Sequence, residues 1–151
     1  MPNTRKGRVP AAYRGRPAPK PKKQYAAISA EEKALLACKW LEEKLGRDIL
    51  ALDLRGMSDV AEAAIIVTAD NARHAQALAD QLLESSKEAN VEFLRMEGYR
   101  HGHWVLVDMN DLLVHVFQPE ERGFFNLEGL WPKAPVLYKS EAIPEDDEDE
   151  D

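Results

Sequence analysis

Two periodicities alternate along this chain, one of about 3.6 residues and one of two, and the points where they exchange mark the expected elements. Ser29-Ala-Glu-Glu32 has the form of a capping box, in which Ser29 accepts from early backbone N–H groups and Glu32 reaches back. Ala34, Ala37, Cys38, Leu41 and Leu45 then share one helical face, so a helix is expected to about Lys44 or Leu45, with Gly46 as its stop. Residues 48–54 read as a strand ended by Arg55-Gly56, and Ser58-Asp59 can cap a short helical turn over residues 60–63. Residues 64–68 are almost continuously apolar at strand length, the pattern of a central strand buried on both faces. Asp70-Asn71 caps a long helix in which Ala72, Ala75, Leu78, Ala79, Leu82 and Leu83 recur at helical spacing, ending near Ala89-Asn90. Residues 92–97 form a third strand, and residues 98–102 turn the chain into the next one.

Residues 104–117 carry the strongest strand pattern. Two apolar runs flank Asp108-Met109-Asn110-Asp111, a polar cluster whose Asn and Asp tolerate the left-handed backbone of a tight turn. Centring the turn between Met109 and Asn110 pairs Val107 with Leu112, Leu106 with Leu113, Val105 with Val114 and Trp104 with His115. Side chains alternate across a strand. One face of this hairpin then holds Val105, Val107, Leu112, Val114 and Val116, which reads as core. The other mixes Trp104, Leu106, Asp108, Asp111, Leu113, His115 and Phe117, and is the face on which function is expected. Pro119 suits the first turn of a short final helix anchored by Phe124, Leu127, Leu130 and Trp131 and stopped by Pro132. The order α-β-α-β-α-β-β-β-α predicts an α/β domain: a mixed β-sheet of about five strands covered by helices.

Charge changes this picture at the two ends. Residues 1–25 hold eight Lys/Arg and no acid, and residues 141–151 hold eight Asp/Glu and no base. These cancel, so the whole net charge of -7 belongs to the domain between them. The chain therefore divides into a basic, proline-rich arm (residues 1–28), a folded domain (29–138) and an acidic tail (139–151), both ends with the composition of disordered segments. The arm suits contact with RNA phosphates through counterion release, or simply a solubilising tail. No apolar run has the ~18 residues of a membrane helix, and no signal-peptide pattern opens the sequence. A lone Cys38 fits a reducing compartment, so a cytoplasmic protein without a membrane partner is expected.

Candidate chemistry is sparse. Asp53, Asp108 and Asp111 sit at strand ends or turns, where carboxylates could hold Mg²⁺ for phosphoryl transfer, and Asp108 with Asp111 defines an alternative reading as a nucleotide- or phosphate-processing enzyme. Yet no glycine-rich phosphate cradle accompanies them. His101, His103 and His115 lack a cysteine pair to complete a metal site, and no nucleophile elbow or local Cys/His pair is present. No cofactor, metal or catalytic residue is expected. Binding is better supported: Tyr99, Trp104, Phe124, Phe125 and Trp131 gather in the last third with Arg100 and Arg122, the residue types that dominate interface hot spots.

Several segments carry a family resemblance: residues 48–56 (Asp-Ile-Leu-Ala-Leu-Asp-Leu-Arg-Gly), Ala72-Arg-His74, Glu97-Gly98, residues 104–108 (Trp-Val-Leu-Val-Asp), residues 111–117 (Asp-Leu-Leu-Val-His-Val-Phe) and residues 125–131 (Phe-Asn-Leu-Glu-Gly-Leu-Trp). In this order and spacing the chain resembles the ribosomal silencing factor (Iojap-like) family, with Asn110 where the hairpin usually has glycine. The resemblance implies a nucleotidyltransferase-like topology without catalysis. It implies binding to the large ribosomal subunit through ribosomal protein uL14, occlusion of the small subunit, and repression of translation when nutrients are short; homodimers also occur in such a family. Trp104, Asp108, Asp111 and His115 are then expected at or beside the ribosomal contact, and Arg73, Tyr99 and Phe125 are further candidates for it.

Overall fold

The computed structural model describes residues 24–141; the expectations for residues 1–23 of the basic arm and 142–151 of the acidic tail lie outside the described residues. Among the described residues, three helices and one six-stranded sheet make up the fold: α1 (Ala30–Glu43), β1 (Arg47–Asp53), β2 (Ala63–Thr68), α2 (Ala72–Ala89), β3 (Arg95–Glu97), β4 (Trp104–Asp108), β5 (Leu112–Phe117), α3 (Pro119–Phe125) and β6 (Val136–Lys139). A single 3-10 turn, Leu127–Leu130, follows α3. The strand order is β3-β4-β5-β2-β1-β6. Only β2 and β5 run parallel, so the sheet is mixed as expected, but it has six strands rather than five. The sixth, β6, pairs with β1 at an edge.

Both long helices start as their sequences require. Ser29 and Glu32 exchange the two capping-box hydrogen bonds at 3.1 and 3.0 Å. Asn71 caps α2 by accepting from the His74 N–H at 2.8 Å, and Asn90 closes it in the left-handed region. The end of α1 departs from expectation. Leu45, not Gly46, takes the positive φ of 64° and is 75% exposed instead of joining the core face. Gly46 is needed for space: a Cβ there would lie 2.8 Å from Val67 Cγ2. The helical turn expected over residues 60–63 is likewise absent. The Ser58 hydroxyl accepts from Val60 N–H at 3.1 Å, but the N–H groups of Glu62 and Ala63 are taken by the Asp111 carbonyl, and sheet pairing begins there.

The hairpin keeps its faces and shifts its register. Trp104 pairs with Phe117, Leu106 with His115 and Asp108 with Leu113, a two-residue slip from the expected pairing. Met109 closes the ladder by donating to the Leu112 carbonyl at 2.9 Å, which moves the turn onto Asn110-Asp111, and Asn110 takes φ 77°. An even slip leaves every side chain on its face. Val105, Val107, Leu112, Val114 and Val116 are accordingly fully buried, packed with Ile65, Val67, Leu41, Leu78 and Leu82 beneath α1 and α2. The opposite face has a smaller core of Leu52, Leu54, Ala64, Ile66, Phe117 and Ala134, roofed by Leu127 and Trp131.

One buried ion pair locks the hairpin turn to α1. The Lys33 ammonium donates to the Met109 carbonyl at 2.9 Å and to Asp111 Oδ1 at 2.6 Å. Lys33 is 6% exposed at its side chain, Asp111 29%. Replacing Lys33 with Met is expected to cost about 1–3 kcal/mol, the lower end if water reaches the orphaned carboxylate. Urea unfolding of Lys33→Met checks this; an unchanged midpoint would show the pair contributes nothing net.

Candidate functional site

Alternation and register together arrange the mixed face in rows across the sheet. One row runs Glu97, Leu106, His115, Ile66, Leu50 and Lys139 from β3 to β6. The next runs Arg95, Asp108, Leu113, Ala64, Leu52 and Val136. A third places Trp104, Phe117 and Thr68 side by side. The segment after α3 covers the β2–β1 part of this face. It is held there by Arg122, which donates to the Asp48 carbonyl at 2.5 Å, to Thr68 Oγ1 at 2.9 Å and to Glu128. Among the described residues no long helix covers the β4–β5 part, where Trp104, Leu106 and Leu113 are only half-buried.

An aromatic cluster organises this open half. The Trp104 ring lies 4.8 Å from Phe117 and 4.9 Å from Phe125, centroid to centroid. Its indole N–H donates to His115 Nδ1 at 3.2 Å. A neutral imidazole that accepts at Nδ1 carries its proton on Nε2. Burial reinforces that neutral state, pushing the His115 pKa down to about 4 from an ordinary 6.5. Phe124, 81% exposed, stands edge-on to Phe125 at the margin. Beside it a groove of about 590 Å³ runs between Trp104, Phe124 and Phe125 on one side and the loop of Gly98 and His101 on the other.

The His115 shift makes a pH prediction. Between pH 6.5 and about 4 the unfolded chain binds a proton that the folded ring refuses. Its contribution to stability is therefore full above pH 6.5 and is lost as the pH falls toward 4, by about 3 kcal/mol in all at about 1.4 kcal/mol per unit. His115→Gln should show a flatter acid limb than the wild type in urea titrations at pH 7 and pH 4.5. A difference between the two proteins that stays constant with pH would count against it.

The sequence-predicted residues do not all converge. Trp104, His115 and Phe125 meet in the aromatic cluster. Asp108 lies on the same face at its edge, accepting from the Asn110 N–H at 2.9 Å, with Arg95 at 3.7 Å. Asp111 turns away to Lys33 on α1. The two carboxylates of the enzyme reading thus engage different partners on different elements, and among the described residues no group of three His, Cys, Asp or Glu has the geometry to hold a metal ion. Tyr99 belongs to the loop beside α2: its hydroxyl donates to Asp80 at 3.0 Å and its carbonyl accepts from Gln76 at 2.9 Å. Arg73 is exposed on the first turn of α2. Leu106, Leu113 and Phe117 were not among the expected contact residues, although the alternation that marked Trp104 and His115 puts them on the same face. The expected anchors Phe124 and Leu130 are mostly exposed, at 81% and 65%, while Leu127 and Trp131 do pack inward. A seven-residue helix has too little face to bury aromatics on two sides.

Residues 27–151 match the family model described as ribosomal silencing factor during starvation. The chain is 36% identical over 110 residues to a ribosomal silencing factor of Halalkalibacterium halodurans, a match covering 73% of this chain and 94% of that one. With the Bacillus subtilis ribosomal silencing factor it shares 40% identity over 103 residues, 68% of this chain and 85% of its relative. A crystal structure of a Chromobacterium violaceum protein, 35% identical, superposes with a TM-score of 0.67 over 78% of this chain and 95% of that one.

Proposed function

The chain belongs to the ribosomal silencing factor family, and from that premise we propose that it is a cytoplasmic, non-enzymatic repressor of translation. In this reading it binds the large ribosomal subunit through ribosomal protein uL14 and blocks, by its bulk, joining of the small subunit under nutrient limitation. The basic arm reaches rRNA phosphates. A nucleotidyltransferase-like ancestry of the sheet, without the catalysis, belongs to the same proposal.

The observation that carries it is the open half of the mixed face. Trp104, Leu106, Leu113 and Phe125 form an apolar centre there, with His115 beneath and Arg95, Glu97 and Asp108 at the rim. An apolar centre with a polar rim is the composition of a protein-binding patch. Trp104, Asp108, His115 and Phe125 lie in the contact, while Asp111, Arg73 and Tyr99 flank it. A homodimer, which the resemblance admits, fits this reading only if it leaves the patch free.

Gradient sedimentation with purified large subunits, followed by a subunit-joining assay, tests the proposal. Co-migration and a reduced yield of joined ribosomes are expected. Association without an effect on joining would keep the partner and discard the occlusion, and no association would overturn both.

A further inference from the structure

The groove beside Trp104 has a chemistry that the partner reading does not use. Its aromatic side is built from Trp104, Phe124 and Phe125, and the first turn of α3 sets the carboxylates of Glu120 and Glu121 along it. Grooves lined by aromatic rings take up extended, proline-rich segments, whose preset backbone loses little entropy on docking, and flanking acids select basic residues beside the prolines. A segment of that kind exists in this chain. Residues 1–23 contain five prolines, eight Lys/Arg and no acid, and within them Arg8-Val-Pro-Ala-Ala-Tyr-Arg14 places an apolar centre between two arginines.

We propose that residues 8–14 of the basic arm dock, within the same molecule, into the groove formed by Trp104, Phe124, Phe125, Glu120 and Glu121. Val9, Pro10 and Tyr13 meet the rings, and Arg8 and Arg14 meet the carboxylates. Distance permits this register. The described chain starts at Gln24, held at the C-terminal end of α2 by the Asn90 side chain, which donates to the Gln24 carbonyl at 3.1 Å, and by the Ala26 N–H to the Asn90 carbonyl at 2.9 Å. The groove is at the other end of α2, where Gln76 donates to the Tyr99 and Arg100 carbonyls and a Cβ on Gly102 would meet Ala72 at 2.8 Å. The 18 residues of α2 span about 27 Å at about 1.5 Å each. The groove opens on the face of the sheet opposite α2, so the path runs diagonally around the β3 edge, on the order of 30 Å once about 10 Å across the packed layers is included. About nine residues, at the roughly 3.3–3.6 Å each of a fully extended chain, still cover it. Counting back from Gln24 leaves residues 1–14 to fill the groove, which includes the segment with the matching pattern. Long-range charge acts the same way, since residues 26–140 carry the whole net -7 and the arm carries +8.

The contact itself does not depend on the ribosomal reading. Its consequence does: an arm seated against Trp104 covers one side of the proposed uL14 patch, and rRNA, as a polyanion, would draw it off. Cys38 is 2% exposed with its thiol pushed up to about 12 by burial, so a nitroxide attached to Ala11→Cys in the full chain labels the arm alone. At low salt the label should remove most of the Trp104 indole N–H and Phe124 amide NMR signals while sparing the Trp40 indole under α1. High salt, or the double substitution Glu120→Lys with Glu121→Lys, should restore them. Signals at Trp104 and Phe124 that survive at low salt, or a loss insensitive to the charge reversal, would overturn the proposal. So would broadening that appears only between labelled and unlabelled molecules, which would make the occupant a second copy. Ribosomes are absent from this measurement, so its failure leaves the sedimentation result standing, and the reverse.

Discussion

Phe117→Ala is expected to destabilise the domain by about 3–5 kcal/mol, the range for deleting a fully buried aromatic ring. Phe117 has no exposed surface and joins the two halves of the mixed face. On one side it packs in the core of Leu52, Leu54, Ala64 and Ile66. On the other its ring supports Trp104 at 4.8 Å, His115 at 6.2 Å and Phe125 at 6.2 Å. The neighbours cannot collapse into the gap easily, because Ile66 is fixed in the central strand and the Trp131 N–H is tied to the Glu128 carbonyl at 3.2 Å. A loss of that size should lower the melting temperature by on the order of 10–20 °C. It should also weaken the near-ultraviolet signal of Trp104, whose ring loses its support, before global unfolding begins. Phe117→Leu should cost clearly less. A melting temperature within a few degrees of wild type in Phe117→Ala would show that the small core contributes little and that the helix-covered side carries the fold.

That such a residue can be picked out owes much to a property the sequence states openly. Strand alternation assigns faces, and face assignment survives any even slip, so the valine core and the mixed face were both readable although the hairpin turn was misplaced. The misplacement has a cause in Met109, which looked like part of a polar turn but is apolar, fully buried and paired with Leu112. Capping signals at Ser29, Asn71 and Asn90 were readable because each acts within a few residues of itself. What could not be read depends on distant chain. Val136–Lys139 is short and becomes a strand only because β1 offers it an edge. Residues 60–63 could have begun a helix had Asp111, about 50 residues on, not accepted their N–H groups. Asp111 neighbours Asp108 in the sequence, but it is Lys33, 78 residues earlier, that engages it. The candidate site divides along the same line. Its strand members Trp104 and His115 follow from alternation and Arg73 from the helical periodicity of α2, while the exclusion of Asp111 and the tie of Tyr99 to Asp80 and Gln76 come from packing between elements.

The largest effect on binding is expected at Trp104. If the open half of the mixed face is the ribosomal contact, Trp104→Ala should weaken association with large subunits by about 2 kcal/mol or more, a loss of about 30-fold, as for a central aromatic hot spot. Two contributions can be separated. The indole ring supplies apolar area next to Leu106 and Phe125, and its N–H fixes the His115 tautomer. Trp104→Phe retains most of the first and removes the second, leaving Nδ1 of a buried imidazole without its donor. Its loss should therefore fall between wild type and Trp104→Ala, and combining it with His115→Gln should add little, because the two residues act through one hydrogen bond. Arg73→Ala serves as the contrast, since Arg73 lies on α2 and outside the cluster; a loss of less than about 0.5 kcal/mol is expected there, as for a rim position. Each variant must first melt as a folded protein, which Trp104 permits better than Phe117 because it is only half-buried. Equal sedimentation of Trp104→Ala and wild type, both folded, would remove the patch from the ribosomal contact. A loss concentrated at Arg73→Ala instead would move that contact to the α2 end of the domain.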